Sequence, residues 1–220
     1  MMRTTLLLFA LTVSFISLHS ENQTSSLSPI PPQGNEIPFR IRIEDSGFSL
    51  PNGFHSGATA IHNGKWLLIS GRSNGLHGFS NDDDNFPPQS QNKMVYVIDP
   101  VEQTVIAKAL DDPSSGLSET QVDDLSVTSP QSFQVGDRLY ISGGYGVVTK
   151  TGKFDTKSTL TAIDVPGLIH WVTKPSKHET ASEHMRQTEH PLLKVTGGAM
   201  YAVDNHLSTL LIFGQDFKGY

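Results

Sequence analysis

The sequence predicts an all-β fold in which one four-stranded antiparallel unit is copied about two and a half times. A strand-then-glycine pattern returns as LLISG at 67–71, LYISG at 139–143 and LLIFG at 210–214, with the closing glycines Gly71, Gly143 and Gly214 lying 72 and 71 residues apart. A pattern that recurs at a near-constant interval marks one supersecondary element repeated along the chain. Between these copies, runs of Val, Ile, Leu, Tyr and Thr of strand length alternate with clusters of Gly, Pro, Asn and Asp, which is the grammar of short strands and turns. No segment keeps a helical apolar period for three turns.

The chain opens like an export signal: Arg3 supplies a positive start, residues 4–18 are apolar and uncharged, and His19 and Ser20 follow. The stretch is short for a membrane span and its flank suits a cleaved peptide, so 1–20 read as a signal peptide, with an uncleaved anchor as the alternative. Residues 21–36, rich in Ser, Pro, Gln and Asn, hold too little apolar surface to fold and read as a flexible lead-in. The folded part is expected over 37–220. The location expected is secreted or periplasmic, with no stable membrane span once the signal is removed.

The first unit lays out as strands at 55–62, 65–71, 93–99 and 104–110. Asn63-Gly64 between the first two is a strong hairpin signal. The second unit repeats the order at 130–135, 138–143, 158–165 and 168–173, with a turn at Gly136-Asp137. The third has strands at 199–203 and 209–213. Residues 176–189 offer at most a short polar helix, so no substantial helix is expected after the signal segment.

Four antiparallel strands per repeat is the blade of a β-propeller. The residues also resemble the kelch family. Apolar strands end in Gly or Gly-Gly (ISGR at 69–72, ISGGY at 141–145), a Tyr-Asp-like element follows (VYVIDP at 95–100, LTAIDV at 160–165), and Trp171 falls in the expected fourth strand of unit two. The resemblance covers roughly 54–220, with a single Gly in the first repeat, Phe-Gly in the third and no Trp in the first fourth strand. It implies a partial kelch-type β-propeller of about two and a half blades. A ring needs roughly four to eight blades, so this chain is expected to be part of a longer protein or a truncated product, completed by further propeller blades or another chain. Alternating residues 39–44 (FRIRIE) are expected to form either a ring-closing strand, as the family's N-terminal strand does, or a surface strand on the first blade.

Cysteine is absent, which removes disulfides, thiolate catalysis and Cys-ligated metals. The net charge of −6 is mild, with both signs interspersed, and no nucleic-acid partner is expected. Antiparallel order places the tight turns at one end of the strands and the long connections, 72–92, 111–128, 144–157 and 174–194, at the other. Long loops gathered on one face are the place to look for function.

Arg72 and Asn74 leave the first strand–glycine element directly, His77 follows in the same loop, and Tyr145 holds a matching position in the second unit. An Arg fork suits a carboxylate or an array of sugar hydroxyls, and Tyr145 offers a ring to stack on a sugar or a peptide. The kelch resemblance implies ligand contacts at Arg72 and Asn74, since Arg and Asn after the glycine grip acidic peptides in kelch adaptors. The alternative for Arg72 is a strut that pairs within its own loop, for His77 a hydrogen-bonded structural role, and for Tyr145 a cap on strand packing. The acidic run 81–85 lacks the spacing of a calcium loop, and His178, His184 and His190 lack zinc-protease spacing, so no metal site is expected.

No nucleophile elbow, phosphate loop or pair of catalytic carboxylates is visible, and no cofactor is expected. The preferred function is an exported, non-catalytic module that binds a protein or glycan through the long-loop face. The alternative is a fragment of a carbohydrate-active propeller enzyme, such as a sialic-acid epimerase-like protein, a reading by fold analogy.

Overall fold

A computed structural model describes residues 39–76, 78, 85–174, 178–203, 208–212 and 214–219. The expected signal peptide and lead-in lie outside the described residues. The chain divides into two units, Met1–Ile43 and Glu44–Tyr220. In the first, the described residues 39–43 are irregular, and Ile43 is 92% exposed. The strand expected at 39–44 does not form. Alternation creates a strand only where a neighbouring edge takes up its backbone hydrogen bonds.

In the second unit, β1 (Ala58–His62), β2 (Lys65–Ile69), β3 (Met94–Asp99) and β4 (Thr104–Ala109) form one antiparallel sheet in sequence order. Asn63-Gly64 closes β1–β2 with both residues at positive φ, 47° and 75°, as a tight hairpin turn requires. Asp99 turns β3 into β4 by accepting hydrogen bonds from Val101 N and Glu102 N at 3.1 and 3.0 Å, and its other oxygen takes the Lys65 ammonium.

After a short helix α1 (Glu119–Leu125), capped by Ser118 and Gln121, come β5 (Gln131–Val135), β6 (Arg138–Ser142), β7 (Tyr145–Val148), β8 (Lys153–Thr156) and β9 (Thr159–Asp164). Then follow helix α2 (Val165–Thr173) and β10 (Met185–Glu189). The second sheet has the order β10-β9-β6-β5, and β7–β8 forms a separate hairpin within the expected loop 144–157. The last described strands, β11 (Ala199–Val203) and β12 (Ser208–Ile212), pair as a two-stranded sheet. Among the described residues the fold is mostly β, in antiparallel sheets of four, four, two and two strands, with the helices α1 and α2 where no substantial helix was expected.

The fourth strand of the second sheet is not where the sequence reading puts it. Residues 168–173 belong to α2, and β10 supplies the outer strand. The run LIHWV is apolar enough for either structure. Pro166 presets the first helical turn, and the helix places Val165, Leu168, Ile169, Trp171 and Val172 on buried positions together. A strand would have sent Leu168 and Val172 to the face opposite Ile169 and Trp171. The 165–184 insertion leaves from the end of β9 beside the Gly136-Asp137 turn, where Val165 N bonds Asp137 O at 2.9 Å. Insertions thus occur at both ends of the strands, not on one face as expected.

The two four-stranded sheets stack front to back. The first contributes Leu67, Ile69, Val95 and Val97 to the main core, the second contributes Leu139, Ile141 and Ile163, and α1 and α2 fill in with Leu125, Leu168 and Trp171. On the other face of the first sheet Leu68, Tyr96 and Ile98 are covered by Phe48, Leu50 and Phe54. The Gln134 side chain joins the first two sheets by accepting from Ile61 N at 2.7 Å and donating to Ile61 O at 2.8 Å. Among the described residues no helix is long and apolar enough to cross a membrane.

Trp171 is 1% exposed, and the Lys108 ammonium sits 4.1 Å from its ring centroid. Trp171→Ala is expected to cost ~3–5 kcal/mol, read as a lower urea midpoint at unchanged slope. Val101→Ala, at a position 84% exposed, is expected to stay within ~0.5 kcal/mol of the parent.

Candidate functional site

The sheets meet through a backbone pattern that repeats with the chain. His55 pairs with Arg72, Thr128 with Tyr145, and Thr196 with Gln215, each as an isolated bridge just beyond a hairpin. Next to these bridges Ser56, Ser129 and Gly197 all have positive φ, at 52°, 51° and 70°. Ser129 N donates to Ser56 O at 2.7 Å, and Gly197 N donates to Ser129 O at 2.8 Å. Gly71 N donates to Val127 O at 2.6 Å, and Gly144 N donates to Val195 O at 2.7 Å. These glycines have φ of 81° and 92°, and a Cβ on them would lie 2.5 Å from His55 O and 2.6 Å from Val127 Cγ2. Only glycine fits at 71 without moving the backbone of His55, and at 144 without displacing the Val127 side chain.

This pattern corrects the repeat register. The structural counterpart of Gly71 is Gly144, not Gly143, and the first interval is 73 residues, from Arg72 to Tyr145. A one-residue slip in a strand exchanges its two faces. The counterpart of Ile69 is therefore Ser142, and that of Leu68 is Ile141.

The bridges surround a cavity of about 250 Å³. Nine of its twelve lining residues come from three equivalent positions: His55, Thr128 and Thr196; Ser56, Ser129 and Gly197; Arg72, Tyr145 and Gln215. Leu76, Phe86 and Phe217 complete the wall. The structure thus brings Arg72 and Tyr145 together. Asn74 is exposed and lies outside this lining, and His77 lies outside the described residues.

Arg72 is 4% exposed. Its Nε donates to His55 Nε2 at 3.1 Å, Nη1 donates to Asn85 O at 2.9 Å, and its guanidinium lies 4.8 Å from the Phe86 ring centroid. Since His55 Nε2 accepts, the ring hydrogen sits on Nδ1, 3.0 Å from Ser56 Oγ. Arg72 is therefore a strut that holds the far end of its loop as well as a wall of the cavity.

Tyr145 stacks on Phe154 with centroids 5.2 Å apart and meets Phe217 and Phe86 edge-on at 4.7 and 5.5 Å. Burial, and next the Asp155 carboxylate, push its phenol above the ordinary value, so the hydroxyl stays protonated. Behind it Lys194 and Lys218 reach Asp155 at 3.1 and 3.3 Å and Asp216 at 3.7 and 2.9 Å, tying the residues after β12 to β8. Burial raises the Asp155 carboxyl, but the two ammonium groups outweigh it and hold it below the ordinary range.

A second polar cluster lies between α1 and β9. Asp123 accepts from Thr149 N and Oγ1 at 2.7 and 2.6 Å, Asp124 accepts from Thr159 Oγ1 at 2.9 Å, and buried Lys157 donates to Val147 O at 2.9 Å. Of the expected histidines, His184 shares Glu179 with His170, each at 2.7 Å, and His190 Nδ1 accepts from Leu192 N at 3.2 Å. Among the described residues no group of three or more His, Cys, Asp or Glu is arranged to hold a metal ion.

Sequence reasoning missed His55, Thr128, Thr196, Gln215, Phe86 and Phe217. The first four become visible once the hairpins are aligned on their bridges; the two phenylalanines lie in loops without counterparts. No protein-family model matches this sequence, and no curated protein matches it at a significant level.

Burial raises the Asp124 carboxyl above its ordinary value, with Thr159 and Lys157 only partly opposing. A raised carboxyl favours folding below the ordinary carboxylate range, and that contribution is lost as pH rises through the folded value. Asp124→Asn is therefore expected to raise the melting temperature at neutral pH, with the gain shrinking as pH falls toward ~4. Thermal unfolding of both proteins across that range checks it; a lower melting temperature at neutral pH overturns it.

Proposed function

We propose that the successive sheets are blades of a kelch-type β-propeller, and that the protein is an exported, non-catalytic module that binds a protein or glycan at the cavity ringed by the three bridges. Three observations support the blades. The four-stranded sheets are antiparallel, they stack front to back, and the same backbone hydrogen bonds join each sheet to the next. In this reading further blades, or another chain, complete the ring.

The observation that carries the function is that equivalent positions of three repeats converge on one cavity. A site made by repetition presents varied side chains on a common backbone frame, which suits recognition. His55 and Tyr145 are titratable groups in the lining, but the first is engaged at both ring nitrogens and the second is held protonated. Neither is arranged as a base beside a nucleophile.

The test is to screen the purified full chain against a glycan array and a peptide library, and to incubate it with the glycans that bind. Saturable binding without turnover, lost in Tyr145→Ala, supports the module. Turnover of a carbohydrate favours the enzyme alternative instead. Arg72→Ala with Asn74→Ala is expected to weaken ligand binding by ~1–3 kcal/mol. Because Arg72 is buried and bonded, this pair is also expected to lower stability, whereas Asn74→Ala alone leaves the unfolding midpoint unchanged.

A further inference from the structure

We infer that the cavity receives one neutral pyranose ring. This rests on the reading above that the cavity is the ligand site, and it narrows the ligand to a glycan end or branch with no charged group on the bound sugar.

The lining of the cavity mixes two chemistries. Phe86, Tyr145 and Phe217 are aromatic and meet edge-to-face with centroids 4.7–5.9 Å apart. Ser129, Thr196 and Gln215 are uncharged and polar. Hydroxyl and carboxamide groups both donate and accept. A pyranose has the matching halves, a face of C–H bonds that packs on aromatic rings and a rim of hydroxyls that donate and accept in turn.

Charge argues against an acidic ligand. Arg72 is the lining residue with a permanent positive charge, and its guanidinium is directed to His55, to the Asn85 carbonyl and onto the Phe86 ring. A purely apolar ligand would desolvate the hydroxyl and carboxamide groups without satisfying them. Size sets the last limit. At about 250 Å³ the cavity lies below the ~300–1,000 Å³ of drug-sized sites, which suits one ring with the rest of the glycan outside.

The experiment titrates the full chain with the methyl glycosides of glucose, galactose and mannose, following saturation-transfer NMR. The methyl glycoside of glucuronic acid and an acidic peptide serve as competitors. The expected result is saturable binding of at least one neutral glycoside, with transfer strongest to ring C–H protons. Gln215→Ala, at an exposed position, is expected to weaken it tenfold or more with the unfolding midpoint unchanged. Phe217→Ala, which removes part of the aromatic lining, is expected to weaken sugar binding at least fivefold. Sugar affinity unmoved by it overturns the aromatic part in recognition. Binding of the acid or the peptide through Gln215, with no neutral glycoside bound, overturns the sugar inference and leaves the ligand site standing. Ligand binding indifferent to both substitutions overturns the site itself.

Discussion

The rest of the structure depends on a line of backbone hydrogen bonds that crosses from sheet to sheet where the chain takes left-handed turns. Ser129 N to Ser56 O and Gly197 N to Ser129 O form one rank, and Gly71 N to Val127 O and Gly144 N to Val195 O form another. Each bond needs a residue at positive φ to aim the amide out of its own ladder, and serine occupies that conformation at 56 and 129. A non-glycine residue there is uncommon, and strain of this kind persists where the surroundings over-determine it. Here the surroundings are the adjoining sheets, whose large side chains, Leu67 and Ile69 against Leu139 and Ile141, form the shared core. Their burial, roughly 1.5–3 kcal/mol per large apolar side chain, exceeds the cost of the few strained residues. The hydrogen bonds set the spacing of the sheets, and that spacing sets the cavity.

Most strands were legible because their signals are local. Alternation with Asn-Gly between β1 and β2, and Gly136-Asp137 between β5 and β6, identifies hairpins whose register is then imposed by the turn. What was not legible depended on partners distant in sequence. The LIHWV run becomes helix because one side of it meets β1, β3 and β4 of the first sheet. The segment 39–44 alternates as well as any strand but pairs with no strand among the described residues. The repeat register was misread by one residue because the motif stops at the first glycine, whereas the pairing is set by the second. Aligned on the motif, Gly143 stands opposite Gly71; aligned on the bridges, it stands opposite Ser70, and both have positive φ, 64° and 62°.

The candidate site was half legible for the same reason. Arg72 and Tyr145 follow a recognisable glycine, so a loop-first reading finds them. His55, Thr128 and Thr196 precede their strands in segments with no motif of their own, and only the cross-strand bridges place them in the wall. Arg72 shows how far residue type alone misleads. A guanidinium after a strand-end glycine reads as a ligand hook, yet burial and its bonds to Asn85 and His55 make it first a support for the loop that carries Phe86. The aromatic lining of the cavity therefore depends on Arg72 even if no ligand atom touches it.

The outer face of the first sheet bears on the proposed ring. The face of the first sheet that turns away from the second is not bare. Phe48 meets Trp66 edge-on at 6.2 Å, Phe54 meets Tyr96 at 6.3 Å, and Leu50 packs on the same cluster. These side chains occupy the place that a preceding blade fills in the proposed propeller. Repeat arrays need such covers, since a terminal unit otherwise exposes the face meant for its neighbour. Ile61 and Trp66 remain 58% and 39% exposed toward the hairpin end, so the cover is partial. In the proposed propeller a closing blade would either displace residues 44–54 or pack against them, using the uncovered strip at Ile61 and Trp66. The first route exchanges one set of apolar contacts for another and gains little net area. The second would add burial without undoing any, and on that ground the proposed propeller would close by it.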